Sequence, residues 1–323
     1  MLRFALALLG AAVTCQFTAP VAVAQDYPNR PIRFLQGFAP GGNADTISRV
    51  LAEQMTKSLG QSIINEAKVG AGGNIASDTV AKADPDGYSL VLFTTGHVIS
   101  PALNKTLSFD PVEDFSFIST VSEFPFFIVV PAESRFKTIG DLVKEMLEKP
   151  GILTVGTAGV GTGQHMCSAL FAVSHKGKLV HVPFRGDAGA VTALLSNNVD
   201  FIVAPGTAIF SHIEAGKFRA LAVSGTKRWP TLPQVPTIAE SGAPGFEVMA
   251  WTGVATTKGV AKPIVDRLNA ELRKAIAAPA VAEKLKALGS VPVSSSPAEV
   301  TEKVRAQVKL WKEVAEKAGL EKQ

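Results

Sequence analysis

Residues 32–60 read IRFLQGFAPGGNADTISRVLAEQMTKSLG. The segment begins with a short apolar run over 32–38, turns at Pro40-Gly41-Gly42, and continues with apolar residues at helical spacing until Gly60. This pattern predicts a strand, a tight glycine turn and a helix. The apolar residues at helical spacing are Ile47, Val50, Leu51, Met55 and Leu59.

The same succession of strand, glycine-containing turn and helix recurs five more times along the chain. Strands that alternate with helices in this way predict an α/β fold with mostly parallel sheets. The five strand-like runs are SIINEA before the turn at 69–73, YSLVLFT before 95–97, ILTVGTA before 159–165, LVHVPF before 185–187, and DFIVA before 205–206.

Two long extended stretches interrupt this rhythm, at 115–131 and 246–257. Both are apolar and too long for one crossover unit, and they bracket a block with its own strand and helix repeats. We therefore expect them to connect two lobes, with lobe 1 formed by 25–124 and 247–323 and lobe 2 inserted as 125–246. The alternative is one large sheet in which the two stretches are edge strands.

The first residues carry the pattern of a secretory leader. One positive charge precedes the apolar run FALALLGAAVT, and Ala22-Val23-Ala24 forms a small-residue cleavage site. The sequence thus predicts a signal peptide over 1–24, cleaved near Ala24, and a soluble periplasmic protein. A transmembrane anchor would need a longer apolar span. A lipid anchor at Cys15 is disfavoured because the cleavage site lies further along the chain.

Removal of a 24-residue leader from the 323-residue chain leaves 299 residues, more than one hydrophobic core usually serves. It also leaves Cys167 as the one cysteine, so no internal disulfide is expected. The precursor has a formal net charge of +4, and its basic residues are spread along the chain. Because they form no basic cluster, we expect no nucleic-acid partner.

The sequence lacks the motifs of several other functions. The run GTAGVGTG (156–163) has the glycines of a phosphate loop but lacks its lysine. The sequence also lacks the G-x-G-x-x-G pattern that would indicate dinucleotide binding. There is no G-x-S-x-G elbow, and Cys167 lies in an apolar helical run as an inert core thiol. The histidines lack metal-ligand spacing. We expect no cofactor, no metal and no catalytic residue.

The six glycine-containing turns favour an anion cleft. In open α/β sheets, ligands bind beyond the carboxyl ends of the strands, where helix N-termini offer free backbone N–H groups. Glycine lets a backbone approach a ligand closely. His97 and His165 follow two of these turns and could face a ligand, whereas His181 alternates with valines in a strand and is expected to be structural.

Five segments that span the mature chain in order resemble the Bordetella uptake gene family, the extracytoplasmic receptors of tripartite tricarboxylate transporters. The resemblance implies a two-lobed type II periplasmic-binding-protein fold that closes around a small organic carboxylate in the cleft between lobes. It also implies membrane permease subunits as partners; we expect a monomer. The segments are 27–49, 65–92, GTAGVGTGQH (156–165), HVPFRGD (181–187) and LPQVPTIAESG (232–242).

The resemblance also implies the residues that contact the ligand. Those of the first lobe are Phe38, Ala39, Gly41, Gly42, Asn43 and Asp45, with a further wall at Thr95, Gly96 and His97. Those of the second lobe are Gly161, Thr162, Gln164, His165, Arg185, Gly186, Asp187 and Pro205.

Arg185 stands where family members often have lysine. A guanidinium can hold a carboxylate with two parallel hydrogen bonds, so Arg185 favours a ligand with a second carboxylate. With Phe38 on one wall, we expect a di- or tricarboxylate, and an aromatic diacid of the phthalate type is one such ligand. The alternatives are an exported enzyme that uses Asp45 with His97 or His165, and a receptor that serves a sensor kinase.

Overall fold

The computed structural model describes residues 27–320 and 322. The predicted signal peptide over 1–24 lies outside the described residues. The strands that the structure describes are β1 (Ile32–Gln36), β2 (Ile63–Ala67), β3 (Ser89–Thr94), β4 (Phe115–Pro131), β5 (Thr154–Thr157), β6 (Val180–Pro183), β7 (Phe201–Pro205), β8 (Phe218–Val223), β9 (Met249–Thr257) and β10 (Val291–Pro292).

Helices follow most of these strands, as the sequence predicts. None of the helices within 27–320 is long and apolar enough to cross a bilayer. The helices are α1 (Asn43–Leu59), α2 (Asn74–Ala81), α3 (Gly96–Leu103), α4 (Ile139–Glu148), α5 (Gly163–Ser174), α6 (Asp187–Leu195), α7 (Gly206–Glu214), α8 (Lys262–Ala277), α9 (Pro279–Ala287) and α10 (Pro297–Lys317).

The strands form two sheets that share β4. The first sheet has the order β2-β1-β3-β9-β4, with β1 parallel to both of its neighbours and β9 antiparallel to both of its own. The second sheet continues as β4-β7-β5-β6, and β8 also pairs with β4. The sheets with their helices are called the first and second lobe below. This mixed arrangement confirms the predicted α/β class.

Strand β4 is 17 residues long and changes partners along its length. Its first part pairs with β9 up to Pro125, and its last part, from Phe126 onward, pairs with β7 and β8. Both long stretches of the sequence therefore lie inside the sheets, because β9 also has a neighbour on each side. The alternative in which they are edge strands of one sheet is wrong. The lobe boundaries at 125 and 246 stay a prediction.

Ser224, just after β8, links the two places where the chain passes between the lobes. Its hydroxyl accepts a hydrogen bond from the Phe126 N–H (2.8 Å) and donates one to the Val248 carbonyl (2.6 Å). Its backbone N–H and carbonyl bind the same two residues, at 2.9 Å each. Ser224 is 1% exposed, so these groups have no water to replace a lost partner.

We predict that Ser224→Ala lowers the free energy of unfolding by about 1–3 kcal/mol, because it leaves the Phe126 N–H without its hydroxyl acceptor. Urea unfolding measures the change. Ser58→Ala is the control, because the Ser58 hydroxyl bonds only to the carbonyl of Met55 in its own helix. Equal losses for both variants would contradict a special role of Ser224.

Candidate functional site

Six helices begin directly after strands and point their N-termini toward the region between the lobes. They are the helices that the six glycine-containing turns predict. The turns precede α1, α2 and α3 in the first lobe and α5, α6 and α7 in the second. Their first residues are Asn43, Asn74, Gly96, Gly163, Asp187 and Gly206.

Three hydrogen bonds join these turns across the cleft. The Ala39 N–H donates to the carbonyl of Arg185 (3.1 Å), and the Asn43 N–H donates to Oδ2 of Asp187 (3.3 Å). The Thr207 hydroxyl donates to Oδ1 of Asn43 (2.9 Å). The first turn of α1 is thus bound to the first turns of α6 and α7, and the two lobes are closed on each other.

The backbones of the two lobes also approach each other where only glycine fits. A Cβ atom on Gly72 would lie 2.6 Å from the carbonyl oxygen of Val160, and one on Gly96 would lie 3.3 Å from that of Gly161. A carbon atom cannot sit 2.6 Å from a carbonyl oxygen without displacing it. Glycine at position 72 is therefore a condition for the closed arrangement, whereas a Cβ on Gly96 would require a shift of only a few tenths of an ångström.

A cavity lies where the lobes meet, with about 320 Å³ of empty space that includes its opening to solvent. It is called the inner cavity below. Rings of Phe38, Phe124 and Phe126 form its apolar walls. Asp187 is the one charged side chain among the residues that line it. The remaining lining residues are Asn43, Ala44, Thr94, Thr95, Gly163, Gln164 and Ala250.

The Asp187 carboxylate is held by one donor from each lobe. Oδ1 accepts from Nε2 of Gln164 (2.8 Å) and Oδ2 from the Asn43 N–H (3.3 Å). Asp187 is 6% exposed. Burial raises the pKa of Asp187 above its ordinary value, and the two hydrogen bonds only partly oppose this rise.

Arg185 lies on the other side of the turn from Asp187. Its side chain is exposed and lines an outer cavity of about 520 Å³, together with Phe38, Gly70–Gly72 and Ala158–Val160. Arg185 does not line the inner cavity. Ligand contact by its guanidinium stays a prediction.

The side chains of Asp45 and His97 form hydrogen bonds to other residues of the protein. Asp45 accepts hydrogen bonds from the Gly41 N–H (3.0 Å) and Nε of Arg49 (2.9 Å). Although burial alone would raise the pKa of Asp45, these bonds and the Arg49 charge hold it below its ordinary value. The carboxylate therefore fixes the turn before α1.

His97 is buried among phenylalanine rings. Its Nε2 lies 2.8 Å from the carbonyl of Pro111, which can only accept, so Nε2 carries the proton and Nδ1 accepts from Ser77 (3.2 Å). Burial lowers the pKa of His97 from 6.5 to about 4. Both nitrogens are used internally, although the ring borders a small cavity of about 210 Å³ beneath Phe38.

His165 braces the turn before α5. Its Nδ1 accepts from the Gly161 N–H (3.2 Å), and its ring meets that of His181 edge to face at 4.8 Å between centroids. Burial, aided by His181, lowers the pKa of His165 to about 4. Thr162 begins α5 by accepting from the His165 N–H, so both side chains support the turn.

Other predicted residues form the cavity or its supports. Thr95 donates to the carbonyl and accepts from the N–H of Trp251, which fixes the wall between β3 and β9. Pro205 precedes α7, and Gly186 precedes α6 at a φ of 127° that favours glycine.

Buried Cys167 has its pKa raised by burial to about 12, so its thiol is unreactive.

Sequence reasoning missed two phenylalanines in the apolar wall of the inner cavity and one residue that bonds across the cleft. Phe124 and Phe126 alternate along β4, so both lie on one face of the strand. That period-2 spacing around Pro125 was a readable signal. Thr207, which bonds to Asn43, carries no such signal. The part of the chain described by the structure contains no group of histidine, cysteine or acidic residues that could hold a metal ion.

The chain is similar to known proteins over most of its length. A family model described as "Tripartite tricarboxylate transporter family receptor" matches residues 47–320. A "UPF0065 protein in tcbD-tcbE intergenic region" of Pseudomonas sp. strain P51 is 40% identical over 89% of this chain and 86% of its own length. "Protein BugT" of Bordetella pertussis is 31% identical over 97% of each chain.

Solved structures share the whole architecture. The periplasmic binding protein BugD superposes with a TM-score of 0.89 at 36% identity, over 92% of this chain and all of its own. R. palustris Rpa4515 with adipate gives 0.87 at 30%, over 92% and 100%. MatC of Rhodopseudomonas palustris with bound malate gives 0.85 at 31%, over 89% and 99%. These matches confirm the periplasmic-binding-protein fold expected from the resemblance.

We predict that His97 makes the protein less stable in mild acid. The folded state keeps the ring neutral down to about pH 4, whereas the unfolded state takes up a proton near pH 6.5. Its contribution is therefore complete above pH 6.5 and is lost as the pH falls toward 4. His97→Gln should reduce the slope of unfolding free energy against pH, between these limits, by up to about 1.4 kcal/mol per pH unit. If urea unfolding at several pH values gives the same dependence of unfolding free energy on pH for the variant and the wild type, the result would contradict a buried neutral His97 ring.

Proposed function

Because the chain belongs to the tripartite tricarboxylate transporter receptor family, we propose that it captures a small organic carboxylate between its lobes and delivers it to integral-membrane permease subunits. It is a solute-binding receptor of a family whose receptors are periplasmic, and it is not an enzyme. The single observation that carries the proposal is the inner cavity between the lobes, which is lined by residues at the N-termini of four helices, α1, α3, α5 and α6.

The physical basis for carboxylate binding is the set of backbone donors around the cleft. The first N–H groups of each helix lack partners inside the helix, and the helix dipole makes its N-terminus favourable for negative charge. The glycine-containing turns let a ligand reach these groups. Related receptors whose structures contain adipate and malate support an organic acid as the ligand class.

We propose that binding closes the two lobes. In the closed arrangement Ala39, in the turn before α1, contacts Arg185 of the second lobe. Asn43, the first residue of α1, contacts Asp187 and Thr207. A ligand that touches both lobes stabilises this arrangement to the extent that it binds the closed state more tightly than the open one. Closure then presents the permease with a surface that the open protein lacks.

The leader pattern over 1–24 supports export to the periplasm, with cleavage near Ala24. The enzyme alternative is not supported by the site. Asp45 is bound to Arg49, and both His97 and His165 use ring nitrogens to brace the protein. No pair of these groups shares a hydrogen bond, so they do not form a general acid and base.

We predict that at least one small carboxylate raises the melting temperature of the mature protein. A ligand that binds only the folded state adds about 2.7 kcal/mol at a hundredfold excess over its Kd, and the gain grows with concentration. Thermal unfolding with mono-, di- and tricarboxylates, aliphatic and aromatic, measures it, with uncharged sugars as controls. A protein that responds to a sugar and to none of these acids would refute the proposed ligand class.

We predict that Gly72→Ala weakens ligand binding by tenfold or more, about 1.4 kcal/mol, because its Cβ would meet the Val160 carbonyl of the other lobe. Gly60→Ala is a matched control. Gly60 has φ 68° against 64° for Gly72, so alanine is strained alike at both, but a Cβ on Gly60 meets nothing within 4 Å. Calorimetry with the acid found in the thermal screen compares the two. Equal affinities would show that binding does not require this approach.

A further inference from the structure

The inner cavity combines anion-binding helix ends with one negative side chain. Asp187 is the one charged residue that lines it, and no lysine, arginine or histidine is among the lining residues. The charge sits between the first turns of α1 and α6. A ligand enclosed here must therefore tolerate, or use, a carboxylate as its neighbour.

The charges around Asp187 do not neutralise it. On α1 the next charged residue is Asp45, which is already bound to Arg49. On α5 the neighbouring titratable group is His165, which burial keeps neutral. In its own turn Arg185 is exposed and faces the outer cavity. A buried carboxylate without a cationic partner is costly, so a cation brought by a ligand would be strongly favoured.

The hydrogen bonds of Asp187 leave room for such a partner. Each oxygen accepts one bond, from Gln164 or from the Asn43 N–H, and a carboxylate oxygen has a second lone pair. Both neighbours are donors, which favours the ionised form of Asp187 as an acceptor. A second ligand carboxylate placed here would instead face a like charge at close range.

The walls of the cavity suit a cation as well. Phe38, Phe124 and Phe126 line the same space as Asp187. The face of an aromatic ring carries partial negative charge and attracts an ammonium group. An acidic side chain among three phenyl rings is thus a favourable environment for a positively charged nitrogen.

We propose that Asp187 binds an ammonium group of the ligand, so that this receptor selects amino-substituted carboxylic acids over plain diacids. The inference rests on the proposed function, because the ligand's own carboxylate is taken to lie at the helix N-termini of the cleft. Asp187 is then the residue that determines specificity for the ligand's ammonium group.

Matched acids test this selectivity. Adipate and 6-aminohexanoate differ by one carboxylate exchanged for a positively charged aminomethyl group, and terephthalate and 4-(aminomethyl)benzoate form the aromatic pair. Calorimetry on the mature wild-type protein should give a lower Kd for the amino acid of at least one pair. Diacids that bind more tightly in both pairs would overturn the inference while leaving the proposed function intact. Failure of every acid, with or without an amino group, would overturn both.

Asp187→Asn removes the charge and keeps the shape. It should raise the Kd of the amino acid by about 10- to 100-fold more than the Kd of the matched diacid, the range expected for a hydrogen bond to a charged group, because only the amino acid loses a charged partner. Asp200→Asn is the control. Asp200 is also a second-lobe aspartate, and it bonds to Thr154 and Arg135 outside both cavities. Equal effects of the two variants on both ligands would contradict the assignment.

The pH dependence of the wild-type protein gives a second test that does not depend on a variant folding. Binding of 6-aminohexanoate to an ionised Asp187 should weaken as the pH falls toward the raised pKa of Asp187, because the carboxylate takes up a proton while the ligand amine stays charged. If Asp187 instead binds as a neutral acid that donates to a ligand carboxylate, adipate affinity will rise over the same range, and the inference is wrong.

Discussion

The two lobes depend on one strand that belongs to both sheets. In β4 the residues up to Pro125 pair with β9, and those from Phe126 onward pair with β7 and β8. Because a strand can form ladder hydrogen bonds on only two edges, this change of partners sets where one sheet ends and the next begins. Ser224 holds the same point by bonding to Phe126 and Val248. The six helix N-termini then face one another across the gap that the shared strand leaves.

The closed cleft is built mainly from backbone groups. Gly72 of the first lobe and Val160 of the second come so close that a single side-chain carbon would separate them. The bonds from Ala39 to Arg185 and from Asn43 to Asp187 join the same surfaces. Such a surface recognises a general feature, a negative group at a helix end, and leaves selectivity to the few side chains that enter the cavity. This division is consistent with one fold that serves receptors for different acids.

Of the residues that the motifs emphasise, Phe38, Asn43, Thr95, Gln164 and Asp187 line the inner cavity, whereas Arg185 and the two histidines do not. A basic residue in the second-lobe turn suggested that a second ligand carboxylate is gripped there, yet the Arg185 side chain lies outside the inner cavity and Asp187 lies inside it. In a turn of three residues, neighbouring side chains point to different sides. The histidines that follow glycine turns likewise hold Pro111 and Gly161 instead of opening toward the cavity. Position beside a turn therefore indicates proximity to a site but does not assign a role.

The sequence by itself determined the α/β class, the six strand–turn–helix units and the family, because periodicity, glycine turns and ordered motifs are local properties of the chain. It also located most of the segments that form the cleft. Only the tertiary structure decided that 115–131 and 246–257 lie inside the sheets. It also decided that Phe124, Phe126 and Asp187 line the inner cavity. The physical reason is that strand partners and side-chain directions depend on contacts between residues distant in sequence, such as the 144 positions between Asn43 and Asp187. No local pattern carries that information.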